Sequence, residues 1–332
     1  MLRFILKRLI IIIPMVLIVV SLTWALIRFA PGSFYDQERR LPPAIEANIK
    51  KKYGLDKPLY QQYFLMLGNI TCRVKSPDET TLTGVQFTIA GTNFKCLDFG
   101  DSLKYEGQSV NEILWRSVPV SATLGILAYL LALLIGVTAG TIAALRQNTS
   151  IDYSSMAVSM LGISMPNFVL GPILVLIFSL YLYWFPPARW NGFFGVANLV
   201  LPVITLSAVY AAYIARLTRA GMLEVLRSDY IRTARAKGLS DWTVVTRHAL
   251  KGGLMPVVSY TGPALAALLA GTVVVERVFA MPGLGNVFIQ SALNRDEPLT
   301  LGVVAFLSIV TLLFNLLVDI GYAFLDPRIR YD

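Results

Sequence analysis

Charged positions along this chain are interrupted six times. No Asp, Glu, Lys or Arg occurs in 9–27, 117–145, 153–188, 190–215, 252–275 or 298–318, runs of 19 to 36 residues. About 20 apolar residues are needed to cross the hydrocarbon core of a bilayer as a helix. The next longest run, 80–94, has 15 residues and is rich in Thr. The pattern predicts an all-α membrane protein with six transmembrane helices. A β-barrel would show strict alternation rather than continuous apolar runs.

The first run follows MLRFILKR, which looks like the basic start of a signal peptide. It exceeds the 7–15 residues of a signal core, and WALIRFAPG offers no small-x-small cleavage site. We read 1–30 as the N-terminus and an uncleaved first helix, stopped at Ala30-Pro31-Gly32. Residues 31–116 form an external domain. Pro42-Pro43 and Gly54 predict the start and end of one short helix, with Ile45, Ile49 and Tyr53 on one face. A second starts near Pro58, with Leu59, Tyr63, Met66 and Leu67 on its apolar side. Residues 71–98 turn Thr-rich, and Val85 to Ile89 alternates with period two, which predicts a small β insert. Residues 117–332 form the core, with helices two to six and a segment 216–251 between helices four and five. Pro166 and Pro172 bend the third crossing. Small residues such as Gly262, Ala264 and Gly271 give the fifth a close-packing face. A turn at Met281 to Gly285 leads into a short helix that dips back.

Composition agrees with this class. Of 332 residues, 55% are hydrophobic and 15% charged, against about 25% charged in soluble domains. The net charge is +9. A basic balance can mark a nucleic-acid binder, but topology accounts for it here. With the N-terminus inside, the short inner segments hold fourteen Lys and Arg and the short outer loops hold three. That asymmetry obeys the positive-inside rule and, with six crossings, places both termini in the cytoplasm. No nucleic-acid partner is expected.

The two cysteines, Cys72 and Cys96, bracket the insert. With no His or clustered carboxylates nearby they make a poor metal site. In an external segment they read as a disulfide closing the insert, worth about 3 kcal/mol by chain entropy.

Catalytic chemistry is missing. Ser164 in GISMP resembles a nucleophile motif, but the one histidine, His248, lies in segment 216–251 and cannot serve it. Ionisable residues, the mark of proton- or ion-coupled carriers, are absent from the six runs; Glu276 and Asp319 lie at their edges. No GxxxxGK[ST] phosphate loop occurs, and no selectivity-filter motif. No metal or cofactor site is expected, and the chain is not an enzyme. Energy for uphill movement has to come from another subunit, and segment 216–251 is the place for it to dock.

That segment reads SDYIRTARAKGLSDWTVVTRHALKGGLMP from Ser228 to Pro256. Ser228 or Asp229 caps a helix start and Gly238 suits its end. Over Asp229–Lys237 the helix is about 14 Å long at 1.5 Å per residue, with Tyr230, Ala234 and Gly238 on one face. Ser240 or Asp241 caps a second helix, with Trp242, Val245 and Ala249 on its apolar side. A solvated basic loop is the plain alternative; the caps, the glycine and the small-residue face count against it.

ARAKGL, followed by HAL and Pro256, resembles the coupling loop of permease subunits of binding-protein-dependent ABC importers. LIRFAPGS, KYGLDKPLYQQYF, SMLGISMPNFV, RLTRAGMLEVLRSDYIRTARAKGL, ERVFAMPGLG and DPRIRY resemble the oligopeptide and dipeptide branch, B-type subunit. Arg232 stands where the general pattern has an acidic residue, and the Cys-bracketed insert is additional. The resemblance implies half of a translocation pathway. The other half is a homologous second permease; two ATP-binding subunits lie beneath, and an external substrate-binding protein delivers a short peptide. ATP would be bound by the partner subunits alone. The coupling residues implied are Tyr230, Ile231, Thr233, Ala234, Ala236 and Gly238. Ser259 and Thr261 are expected along the substrate path. Two alternatives stay open: the same machine carrying a metal chelate or an antimicrobial peptide, and a membrane-anchored assembly or sensor subunit that moves nothing.

Overall fold

The computed structural model describes residues 2–29, 56–74, 85–89, 92–187, 189, 190, 192 and 195–325. The helix expected between Pro42 and Gly54, the stop at Ala30–Gly32 and the tail from Asp326 lie outside the described residues. The chain is mostly helical. In order it forms α1 (Leu2–Phe29), α2 (Leu59–Ile70), β1 (Cys72–Val74), β2 (Val85–Ile89), β3 (Thr92–Cys96), α3 (Val110–Leu145), α4 (Ser150–Ser164) and α5 (Asn167–Leu174). A π-helical turn, Val175–Tyr181, extends α5. Then come α6 (Val196–Leu226), α7 (Asp229–Ala236), α8 (Asp241–Thr243), a second π-helical turn Val244–Ala249, α9 (Leu250–Gly253), α10 (Met255–Val278), α11 (Leu284–Leu293) and α12 (Glu297–Leu325).

Four of these helices are long and apolar enough to cross a membrane: Ile5–Phe29, Val110–Leu145, Val196–Leu226 and Glu297–Gly321. In water the Ile- and Val-rich start of α1 would favour a strand. In lipid only a helix satisfies its backbone groups within one segment. The pair Ser150–Ser164 and Asn167–Tyr181, bent by 104°, makes a fifth crossing if it is one span. The break is local chemistry. Met165 precedes a proline and takes the extended conformation that position favours, at φ −87° and ψ 114°. Pro166 then opens α5, its carbonyl accepting from the N–H of Val169 and Leu170. The sixth charge-free run corresponds to α12 and the fifth to α10, a helix of 24 residues. The short helix expected after the Met281–Gly285 turn is α11.

The chain divides into two compact units. The first comprises Met1–Ile5, Val120–Gly285 and Val310–Asp332. Its core joins Leu124, Ala128 and Ala132 of α3, Leu201, Leu206 and Ile214 of α6, and Val257, Ala264 and Leu268 of α10. Helix association in lipid has no hydrophobic driving force, so close packing has to supply the attraction. Small residues make it possible. Gly136 and Gly140, four apart on α3, lie against the α6 backbone at Ala211 and Ala215. Gly162 of α4 lies against Ala208 of the same helix. A methyl at Gly136 would come within 2.7 Å of the Ala211 carbonyl oxygen.

A charged anchor joins this packing. Asp152 of α4 is 1% exposed. It accepts two hydrogen bonds from Arg219 of α6, Nε to Oδ1 at 2.6 Å and a terminal nitrogen to Oδ2 at 2.7 Å. The Asn148 N–H, in the α3–α4 turn, donates to Oδ2 at 3.0 Å. The carboxylate thus joins that turn to α6 through a bidentate pair. Glu276 of α10 is fully buried. Ser121 Oγ donates to it at 2.6 Å and accepts the Leu284 N–H at 2.8 Å. Gly283 lies so close to the Glu276 carboxylate that a side chain there would collide with it. The Met281–Gly285 turn is therefore held by a carboxylate from the helix before it.

The second unit comprises Leu6–Pro119 and Asn286–Ile309. Strands β1, β2 and β3 form the expected sheet, antiparallel in the order β1-β3-β2. Its register sets Cys72 opposite Cys96. Pro58 precedes α2, whose Tyr63 hydroxyl hydrogen-bonds Ser21 of α1 at 2.7 Å. Lys95 and Asp98, both buried, pair at 2.7 Å. Asp296 caps α12, its carboxylate accepting the Leu299 N–H at 3.2 Å and a hydroxyl hydrogen bond from Ser102.

Three expectations follow for thermal unfolding of the purified chain in detergent. Gly136→Ala overpacks the α3–α6 contact and destabilises by about 1–3 kcal/mol. Gly68→Ala in α2 meets nothing within 4 Å and is neutral or stabilising by about 0.5–1 kcal/mol. Asp152→Asn leaves Arg219 without its partner and costs about 3 kcal/mol. Equal stability of all three variants would refute the packing assigned to α6.

Candidate functional site

The candidate site is the segment between α6 and α10. Helix α6 ends at Leu226, and Arg227 turns the chain so that α7 starts after Ser228. Ser228 has the extended backbone of a capping residue, but its hydroxyl donates backward to the Val225 carbonyl at 2.6 Å. It therefore leaves the first turn of α7 uncapped by a side chain, contrary to the sequence expectation. Helix α7 ends at Ala236, one residue earlier than expected. Gly238 follows at φ +78°, the left-handed conformation that glycine adopts freely. Ser240 caps α8 as expected, accepting the Thr243 N–H at 3.4 Å.

The faces differ from those expected. Ile231 and Ala234 are buried, at 0% and 6% exposure. They pack with Met222 of α6, Ala144 of α3, and Val244, Val245 and Ala249 of the π-helical turn. These two coupling candidates therefore face this chain's own core. The reason is legible in the helix: Ile231 is the one large aliphatic side chain in DYIRTARA, and Ala234 lies one turn on. Tyr230, Thr233, Ala236 and Gly238 are exposed. Tyr230 arches back, its hydroxyl lying over Gly252. Trp242 also departs from expectation. It is 77% exposed, because the chain passes from α8 into a π-helical turn that buries Val244 and Val245 instead.

The site is seated on glycine. Gly221 of α6 meets the Gly253 backbone of α9 so closely that a side chain at Gly221 would strike its carbonyl oxygen. Gly253 in turn lies against Met222, where a methyl would come within 2.6 Å of the sulfur. Around α7 the outer surface is basic. Arg232 reaches Asp229 at 3.3 Å and Arg235 reaches Asp241 at 3.7 Å, both pairs exposed. Such pairs contribute little to stability, so these arginines remain available to a partner.

The path residues fall on α10. Ser259 is exposed, with its hydroxyl bonded to the Met255 carbonyl at 2.9 Å. Thr261 is half-buried; it donates to the Val257 carbonyl at 3.0 Å and accepts from the Tyr129 hydroxyl at 2.6 Å. Sequence reasoning missed the Asp152–Arg219 pair and the burial of Glu276. Asp152 stands one residue before a charge-free run and Arg219 three residues after Arg216. Nothing in their spacing joins them.

Known proteins resemble this chain over its whole length. The family described as the binding-protein-dependent transport system inner membrane component matches residues 136–331, and the N-terminal component of such systems matches 1–125. The oligopeptide transport system permease OppB of Haemophilus influenzae is 46% identical over 332 residues, covering all of both chains. OppB of Escherichia coli is 44% identical over 331 residues, again covering both chains. The dipeptide permease DppB of Bacillus subtilis is 39% identical over 330 residues, 99% of this chain and 98% of its own. The solved MetNI methionine ABC transporter, inward facing, has a TM-score of 0.55 at 17% identity, covering 64% of this chain and 96% of that one. This chain belongs to the inner membrane components of binding-protein-dependent transport systems, in their oligopeptide and dipeptide permease branch.

Proposed function

We propose that this chain is one of two permease subunits of an ATP-driven importer of short peptides in a bacterial inner membrane. The observation that carries the reading is α7, an eight-residue helix anchored by Ile231 and Ala234 with its other residues turned outward. A motif that couples to an ATPase has to be fixed to its own subunit and still offer a surface to the other. Here Tyr230, Thr233, Ala236 and Gly238 make that surface. The reading includes six crossings, α10 being the fifth, with both termini in the cytoplasm and residues 31–116 outside. Four helices and one bent pair that fit the membrane, together with the charge asymmetry, support it. The second permease, two ATP-binding subunits and an external binding protein complete the machine, and ATP is bound only by those subunits. Ser259, exposed on α10, lies on the path, with Thr261 held behind it by Tyr129. We also propose that Cys72 and Cys96 form a disulfide. Their opposed register and the absence of a free thiol among the described residues support it.

The test is co-expression with the candidate ATPases, second permease and binding protein, followed by peptide uptake into proteoliposomes. Ala236→Trp leaves membrane insertion and yield near wild type and removes uptake. Ala234→Trp fills a buried site and lowers the folded yield itself. Gly238→Val meets nothing within 4 Å, so its cost of about 1–2 kcal/mol is conformational; Gly238→Asn tolerates the same backbone and keeps most uptake. Normal uptake by both Ala236→Trp and Gly238→Val would remove α7 from coupling. A stable complex with peptide-independent hydrolysis and no uptake would favour a sensor subunit. Mass mapping of non-reduced protein checks the disulfide; two freely alkylated thiols would exclude it.

A further inference from the structure

The middle stretches of α1 and α3 expose aliphatic side chains such as Ile10, Ile13, Ile18, Leu130 and Leu134. Where α6 meets α10 the side chains are polar aromatic. Tyr210, Tyr213 and Arg216 follow one another at three-residue spacing on α6, and Tyr260 faces them from α10. Tyr213 and Tyr260 stack with centroids 5.8 Å apart and planes at 27°. The Arg216 guanidinium lies 5.1 Å from the centre of the Tyr213 ring. Tyr213 is 39% exposed and Ser259, beside Tyr260, is exposed as well. Tyr129 backs the group from α3.

Arg216 begins the inner segment, but Tyr210, Tyr213, Ser259 and Tyr260 fall within the charge-free runs, and polar groups within membrane helices face a bundle interior or a water-filled cavity. We infer that the stacked Tyr213–Tyr260 pair, steadied by Arg216, is a contact surface for the backbone of the transported peptide. This rests on the peptide-importer reading and deepens it. The chemistry suits a cargo of varied sequence. A rigid tyrosine offers a flat ring to any side chain and a hydroxyl to any peptide group, at little entropic cost. A charged pocket would instead select one residue type. The cation–π contact holds Tyr213 in place without occupying its hydroxyl.

The test uses the whole transporter in proteoliposomes, with trialanine as cargo. Tyr213→Leu and Tyr260→Leu each lower initial uptake about five- to tenfold, the scale of one aromatic contact. Assembly, and ATP hydrolysis stimulated by the loaded binding protein, stay near wild type. Tyr213→Phe keeps the stack but loses the hydroxyl offered to the peptide, and lowers uptake less than Tyr213→Leu. With p-benzoylphenylalanine at 213, irradiation during turnover labels this subunit with a biotinylated tripeptide. A cross-link to the second permease alone, or full uptake by both leucine variants, overturns the inference while leaving the importer reading intact. A wild-type complex that takes up no peptide overturns the importer reading and this inference with it.

Discussion

The rest of the first unit depends on how closely other backbones approach α6. Gly136 and Gly140 bring α3 against it, Gly162 brings α4, and Gly221 lets α9 meet it near the other end. In a bilayer the lipid tails are as apolar as leucine, so helices gain nothing from mutual burial as such. What remains is dispersion between atoms in contact, which falls off steeply with a gap of even 1 Å. Glycine removes the side chain that would open that gap. The bulk of the core, Leu124, Leu201, Ile214 and Leu268, then packs in the space the glycines define.

Ion pairs add direction to packing that would otherwise allow sliding. Asp152 and Arg219 meet in a fork with fixed angles, and the Asn148 N–H fixes the remaining approach to the carboxylate. A helix can rotate slightly against a glycine face at little cost, but not while holding a bidentate carboxylate. Glu276 does the same for the Met281–Gly285 turn, with Ser121 serving as donor to the carboxylate and acceptor for the Leu284 N–H. Both carboxylates are buried, so each arrangement is strongly specified: losing a partner leaves a charge or polar group without water.

The sequence made the helices legible because a membrane imposes a length rule that one residue class obeys. Charges are excluded over long stretches, and the gaps coincide with α1, α3, α6 and α12, which are long and apolar enough to cross a membrane, with the bent pair and with α10. The Met165–Pro166 break and the end of α7 near Gly238 were legible for a similar reason: Pro and Gly act on their own backbone. Faces were harder. The helical period puts Ala234 on one face with Tyr230 and Gly238, yet it is buried where they are exposed; it puts Trp242 on an apolar side, yet Trp242 is exposed. Small side chains carry no hydropathy signal strong enough to fix a rotation, and the π-helical turn at Val244–Ala249 shifts the register that a 3.6-residue period assumes. Asp152–Arg219 was invisible because 67 residues separate its members.

These features together constrain how a push on α7 would travel. Ile231 and Ala234 bind the short helix to Met222 of α6 and to the turn before α9, so it cannot move without them. Met222 lies three residues beyond Arg219, and Gly221 between them is locked against Gly253. Displacement at α7 therefore enters α6 at a point already clamped from two sides. Through the glycine contacts α3 and α4 pack directly on the same helix. Tyr213, six residues before Arg219, lies on the same helix and stacks on Tyr260 of α10. Under the importer reading, a single rigid helix then links the surface offered to the ATPase with the surface offered to the peptide. No flexible joint interrupts α6 between them.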